Sequence, residues 1–149
     1  MIYTRLTRKA LQICFDAHKE QKDKTGLPYV FHPFHLAEQM TDEVSVCAAL
    51  LHDVVEDTDM TIDDLRNQGF PDEVLDVVSV LTHDPDVPYF DYISKIADNP
   101  TAVKVKLADL AHNSDITRLD NVDEAMERRL EKYKKAKQIL TKGKDYTAV

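Results

Sequence analysis

The run Val46-Cys47-Ala48-Ala49-Leu50-Leu51, followed at once by His52-Asp53-Val54-Val55-Glu56-Asp57, constrains this chain more than any other segment. It holds no Gly or Pro and is rich in helix formers, so it reads as a buried helix. On a helix, residues three and four apart share a face. His52 then stacks with Glu56, Asp53 stacks with Glu56 and Asp57, and Val54 and Val55 turn away. The fold must therefore accommodate an acidic, imidazole-bearing face on an otherwise buried helix. Buried charge is costly unless it is paired or binds a metal.

Apolar spacing is helical along nearly the whole chain, and no segment alternates convincingly as a strand. A first helix is predicted from about Thr4 to Glu20, with Leu6, Ala10, Ile13, Cys14 and Ala17 inward. Thr25-Gly26-Leu27-Pro28 reads as a turn. His32 precedes Pro33, which pushes its backbone towards an extended form, so the next helix should restart at Pro33. Thr41 is the expected cap of the helix carrying the acidic face. Thr61 with Asp64 resembles a capping box, Gly69 should end that short helix, and Pro71 should open another to about Thr82. A helix over Tyr89–Asp98 follows. Asn99-Pro100 then opens one to about Asn113, and Asn121 with Glu124 should cap the last, to about Leu140. Residues 141–149 read as a frayed tail. These features predict an all-α, single-domain helical bundle spanning residues 1–149, with its core over about 4–140.

The chain has 149 residues, enough for one domain with a real core, and no apolar run approaches membrane-spanning length. Cys14 and Cys47 each sit among apolar residues and read as reduced, buried thiols. A cytoplasmic location is the expectation. The net charge of −8 argues against a general nucleic-acid binder. Its distribution says more. Residues 25–116 carry four Lys/Arg against eighteen Asp/Glu, whereas residues 1–24 carry six against three and residues 117–149 nine against six. An acidic centre with more basic ends suits a protein that holds a cation centrally and meets an anionic ligand from its termini.

A metal needs more than one helix can supply. His52 and Asp53 offer one nitrogen and one oxygen. The best remaining candidates are His32, in Tyr29-Val30-Phe31-His32-Pro33, and Asp109, in Val105-Lys106-Leu107-Ala108-Asp109. Taken singly, Asp109 reads as a helix-face carboxylate paired with Lys106, and His32 as a hydrogen-bonded loop histidine. Taken together, His32, His52, Asp53 and Asp109 resemble the H…HD…D order of the HD-domain phosphohydrolase superfamily. The match is closer to the hydrolase domain of the RelA/SpoT alarmone enzymes and their stand-alone small hydrolases. It rests on Gly26-Leu27-Pro28-Tyr29-Val30-Phe31-His32-Pro33, on Ala48 to Thr58, and on Val105 to Asp109 with Asn113, and it covers roughly residues 10–135. The dipeptide His83-Asp84 is an internal control. It lies beside Pro85 with no buried run before it and no Glu-Asp after it, and it reads as surface. His18, His35 and His112 are expected not to be ligands; His35 is the nearest substitute for His32, and His112 could support a ligand from behind.

The resemblance implies a divalent cation held by two His and two Asp, with positions left for water and a phosphate oxygen. Mixed imidazole and carboxylate ligation suits Mn²⁺ or Fe²⁺, with Zn²⁺ and Mg²⁺ also admissible, and the resemblance favours Mn²⁺. Glu56 and Asp57 match positions that act on the nucleophilic water or its network. An acidic pair is a poor choice at a helix C-terminus on structural grounds alone. Asn113, the pair Arg129 and Tyr133, and Lys22 and Lys24 match substrate-contacting positions. Lys132, Lys134, Lys135 and Lys137 read as solvent-facing charge. Two positions depart from the pattern: Asp23 stands where the family commonly has Arg, and Leu110 follows Asp109 where it commonly has Arg or Lys. Both departures bear on base recognition. The implied function is metal-dependent hydrolysis of a (p)ppGpp-type guanosine 3′-pyrophosphate, a small phosphorylated nucleotide, with neither nucleic acid nor membrane as partner. The alternatives are an HD phosphohydrolase or nucleotidase acting on another phosphorylated nucleotide or metabolite, and a non-catalytic, nucleotide-sensing metal-binding module. The sequence leaves the oligomeric state open.

Overall fold

The computed structural model describes the backbone of residues 1–147 and the side chains as far as Lys142. Its described residues form α1 (Arg5–His18), α2 (Phe31–Glu38), α3 (Glu43–Asp57), α4 (Ile62–Asn67), α5 (Asp72–Leu81), α6 (Tyr89–Ile96), α7 (Pro100–Asn113), a 3₁₀ turn (Ile116–Arg118) and α8 (Glu124–Thr147). One isolated β-bridge joins Lys22 to Pro28 across the α1–α2 loop. No helix among the described residues is long and apolar enough to cross a membrane.

α3 is the axis of the fold. Every residue from Ser45 to Val54 is buried, and α1, α2, α5 and α7 pack around it. A helix apolar on all sides has this central position as its stable solution. α8 closes the far side against α6 and α7. There Lys132 and Lys135, expected only to face solvent, lie over the rings of Tyr89 at 4.4 Å and Phe90 at 4.9 Å. Their stems cover apolar surface while their charges stay wet. Cys14 and Cys47 are buried and unbridged; burial pushes both thiols up to about 12, with the charges of Asp53 and Glu43 adding respectively.

Local rules explain most helix ends. Thr4 and Thr7 form a capping box, as do Thr61 and Asp64, and Asn99 caps α7 with Pro100 at its first position. Gly69 follows α4 at φ +97° and Gly26 shapes the α1–α2 loop at φ +88°, both in the region that suits glycine. Four boundaries differ from expectation. α2 begins at Phe31, so His32 is helical despite preceding Pro33. Pro33 lies in the first turn, where backbone N–H groups have no helical partner and its missing donor costs nothing. Asp42, not Thr41, caps α3 by accepting from the Ser45 N–H at 2.9 Å. Asp123, not Asn121, caps α8 by accepting from the Met126 N–H at 2.8 Å. α8 carries helical backbone past Leu140 to Thr147. The expected fraying falls outside the described residues for positions 148 and 149 and for the side chains after Lys142.

The cap assignment is testable by chemical denaturation. Asp42→Ala should lower the unfolding free energy by about 1 kcal/mol. Thr41→Ala, at an exposed non-capping position, should stay within about 0.5 kcal/mol of the parent.

Candidate functional site

α2, α3 and α7 converge on one buried point. α3 delivers His52 and Asp53 from its last buried turn, α2 delivers His32 and α7 delivers Asp109; all four are at most 7% exposed. One ligand atom each from His32, His52 and Asp109 lies within 4.8 Å of the others. His32 Nε2 is 2.8 Å from Asp109 Oδ1, and His52 Nε2 is 3.9 Å from the same oxygen. Asp53 joins through His52, its Oδ1 lying 3.2 Å from His52 Nε2. The Tyr29 hydroxyl donates to Asp53 Oδ2 at 2.5 Å and so fixes which oxygen faces inward.

The two imidazoles are oriented from behind. His52 Nδ1 faces the Ala49 carbonyl at 2.7 Å, and a carbonyl only accepts, so Nδ1 carries a proton. That leaves Nε2 buried without a hydrogen-bond partner while it faces two carboxylates. Burial opposes protonation of His52, but the Asp53 and Asp109 charges outweigh it and push the imidazole up to about 9. Two acids around an orphaned ring nitrogen fit a divalent cation, which would displace that proton on binding. His32 Nδ1 lies 2.7 Å from His112 Nδ1, so the ring expected to support a ligand does touch one. Burial, then the Arg118 charge, lower His112 to about 4, which keeps it neutral and able to accept from His32. The exposed His35 ring stands 4.2 Å from His112, outside the ligand group.

Asp109 is also held by its own helix. Lys106 Nζ donates to Oδ2 at 2.9 Å, and Asn113 donates to Oδ1 at 3.1 Å. Burial would raise this carboxyl, but the Lys106 charge and the two histidines bring it far below the ordinary range. The Lys106 pairing considered for Asp109 in isolation is therefore present together with the cluster.

Glu56 and Asp57 are the last two residues of α3, with no basic residue in its final turn. Both are exposed. Partial burial, then the Asp53 charge, raise Asp57; burial and the Asp53 charge also raise Glu56, against a hydrogen bond from His83. That bond is the His83 backbone N–H donating to Glu56 Oε1 at 2.8 Å. His83 is thus only half surface. Its ring stacks on Tyr92 at 4.5 Å, while Asp84 is exposed.

A cavity of about 280 Å³ opens beside His32, and Lys22, Lys24, Asn113, Arg129 and Tyr133 all line it. The α1–α2 loop, the end of α7 and the first half of α8 form its walls. Tyr29, Asp23, Arg118, Leu119 and Met126 also line it, and sequence reasoning missed Arg118, Leu119 and Met126 because they follow no motif. Asp23 forms an ion pair with Arg118 at 3.5 Å. Leu110 is 3% exposed in the core, so the residue after Asp109 points away from this cavity. A larger cavity, about 970 Å³, is a mainly apolar groove between α7 and α8 that none of the four clustered residues reaches.

The fold and site define an all-helical domain with a buried His/His/Asp group, one histidine of which lines a cavity with several charged residues. The chain belongs to the HD domain family, whose model matches residues 10–140. Membership implies a bound divalent metal. The chain is 34% identical over 140 residues to a guanosine-3′,5′-bis(diphosphate) 3′-pyrophosphohydrolase of Aquifex aeolicus (strain VF5), covering 86% of this chain and 19% of that protein. It is 36% identical over 114 residues to the Mus musculus enzyme of the same name, MESH1, covering 66% of this chain and 63% of that one. The chain therefore spans less than two thirds of either relative. A solved structure, described as a metazoan orthologue of SpoT that hydrolyses ppGpp and acts in starvation responses, superposes with a TM-score of 0.74 at 26% identity. That match covers 94% of this chain and 88% of that one.

The Lys106–Asp109 pair yields a test on metal-free protein. Asp109→Asn leaves the Lys106 charge buried and unpaired, which should cost about 3 kcal/mol at pH 7 in urea denaturation with a chelator present. Asp109 has a depressed folded-state value, so its contribution is complete above the ordinary carboxylate range and fades as pH falls through the folded value. The difference between parent and variant should shrink in strong acid.

Proposed function

We propose that this chain is a metal-dependent phosphohydrolase that removes pyrophosphate from the 3′ position of a guanosine 3′-pyrophosphate such as ppGpp. The observation that carries the reading is the double place of His32, which belongs to the buried His/His/Asp group and also lines the cavity with Lys22, Lys24, Asn113, Arg129 and Tyr133. A nucleotide needs this combination: cations for phosphates, amide and hydroxyl donors for a sugar, and an apolar surface, here Leu119 and Met126, for a base. The names of the relatives support the same substrate.

His32, His52, Asp53 and Asp109 would hold the cation; mixed imidazole and carboxylate ligation suits Mn²⁺ or Fe²⁺, and the family resemblance favours Mn²⁺. Bound there, a divalent cation supplies a polarised phosphoryl group and an acidified water. The chain's own groups do the rest. Tyr29 holds Asp53, and His112 holds the His32 ring so that its Nε2 stays directed inward. Glu56 and Asp57, with raised proton affinities beside the centre, take a proton from the attacking water and return one to the departing 3′-oxygen. The His83 backbone N–H fixes Glu56 Oε1, which leaves Oε2 for that exchange. We place the reaction in the cytoplasm, in keeping with two buried, unbridged cysteines.

Incubating the Mn²⁺-loaded protein with ppGpp should release GDP and pyrophosphate; no release by metal-loaded protein overturns the alarmone reading. Saturating Mn²⁺ should also raise the melting temperature, by the equivalent of about 2.7 kcal/mol at one hundred times the dissociation constant. His52→Ala should abolish that rise. Glu56→Gln and Asp57→Asn should retain metal and lose about 10²- to 10⁴-fold in turnover. In the metal-free protein burial and the Asp53 charge raise both carboxyls, so each takes up its proton at a higher pH than an ordinary carboxylate. NMR titration of the metal-free parent should show the two raised carboxyl transitions, and Glu56→Gln and Asp57→Asn should each remove one.

A further inference from the structure

The cavity beside His32 carries a pair of opposite charges that the phosphohydrolase reading does not use. Asp23, in the α1–α2 loop, and Arg118, at the end of the 3₁₀ turn, both line it, with Asp23 Oδ2 3.5 Å from an Arg118 terminal nitrogen. The other terminal nitrogen of Arg118 donates to the His112 carbonyl at 2.7 Å. The guanidinium is thus anchored from two different elements, and both anchors are themselves fixed. Asp23 Oδ1 accepts from the Thr25 N–H at 2.8 Å, the Thr25 hydroxyl at 2.6 Å and the Leu27 N–H at 3.1 Å, which leaves Oδ2 to turn towards Arg118. Burial raises the Asp23 carboxyl, but these bonds and the Arg118 charge outweigh it and keep Asp23 ionised. Asp115 fixes the other side: its carboxylate accepts from the Thr117 N–H at 3.0 Å, and its carbonyl from the Arg118 N–H at 3.2 Å.

A guanidinium held this way is a rigid fork of donors whose charge is largely balanced. It is therefore a poor phosphate site, because a phosphate would have to compete with Asp23 for it. The same cavity offers Lys22, Lys24 and Arg129, and none of these appears in an ion pair among the described residues. Free cations suit the phosphates; a neutralised, donor-only fork suits a neutral group with acceptors side by side. The apolar Leu119, next to Arg118 in the chain, and Met126 line the same cavity and give such a group a flat surface.

We infer that Arg118, anchored by Asp23, reads the purine edge of the substrate and selects guanine over adenine. Guanine presents two adjacent acceptors, O6 and N7, and a guanidinium fork binds them as a pair. Adenine presents N7 beside an amino donor, which meets the fork donor to donor. Because both anchors are in place before the ligand arrives, little side-chain freedom remains to be lost on binding. This inference deepens the nucleotide reading and rests on it. It also turns Asp23 from a missing cation into the holder of one supplied by another element.

The experiment compares the Mn²⁺-loaded full chain on ppGpp and on its adenosine counterpart. The parent should prefer guanine, with Arg118→Ala lowering kcat/KM for the guanine substrate about 10- to 100-fold, mainly through KM, and leaving the adenine substrate within a few-fold. Arg118→Lys keeps the charge but not the fork and should lose most of the preference. Asp23→Asn should lose part of it, and adding Asp23→Asn to Arg118→Ala should cost nothing more. Equal losses on both substrates would mark Arg118 as a phosphate or packing residue and overturn the inference, as would a parent with no preference. If the parent hydrolyses neither substrate, the alarmone reading fails and the same variants are compared by calorimetry with GDP and ADP. There, a guanine preference that disappears with Arg118 sustains the inference, and one that survives its removal sinks it.

Discussion

Two imidazoles and two carboxylates share one buried space at the end of α3, and the surrounding architecture is shaped by the need to balance them. Such groups cost free energy in an apolar interior unless each has a partner. α7 meets part of that demand by placing Lys106 and Asn113 on Asp109. The α1–α2 loop meets another part through Tyr29 on Asp53. His52 Nε2 alone is left facing the acids without a hydrogen bond. A divalent cation there would satisfy the ring nitrogen and the carboxylates at once.

Much of this was legible in the residues, because it follows from local rules and from an unusual pattern. The all-helical class came from apolar spacing, and the capping boxes and Asn99-Pro100 from short-range chemistry. Where neighbouring residues are equally good caps, the chain alone does not choose: Thr41 beside Asp42, and Asn121 near Asp123, differ only in which side chain the tertiary path turns towards the helix end. Pro33 shows packing overriding a local preference, since α2 must start early enough to present His32 inward. Three of the four expected ligands gather closely, whereas Asp53 joins through His52. Its other oxygen is committed to Tyr29, a partner that lies 24 residues away and that no spacing rule reveals.

The charge distribution was informative in outline and misleading in detail. The acidic middle does supply Asp53 and Asp109 to the buried cluster, and the basic ends do supply Lys22, Lys24 and Arg129 to the cavity. Yet Lys132 and Lys135, from the same basic stretch, join α8 to the aromatic face of α6. Arg118 carried no signal at all. It sits in a single 3₁₀ turn after α7, outside any helical period, and acquires its place only because Asp23 and the His112 carbonyl converge on it in three dimensions.

The last turn of α3 departs from the local rule for a helix end. A helix C-terminus favours cations, and an acid there costs a few tenths of a kcal/mol or more. α3 ends instead on Glu56 and Asp57, with no basic residue in the turn and with the Asp53 charge acting on both. Stability alone would place a lysine or a glycine at that end. The neighbouring elements soften the conflict without removing it: a backbone N–H from the α5–α6 connection reaches Glu56, and the Gln21 amide reaches Asp57 at 3.5 Å. Each donor holds one carboxylate oxygen in place and leaves the group exposed. A purely structural compensation would have buried or neutralised these acids. Both acids are instead fixed and open to solvent, an arrangement compatible with the proton exchange proposed for them.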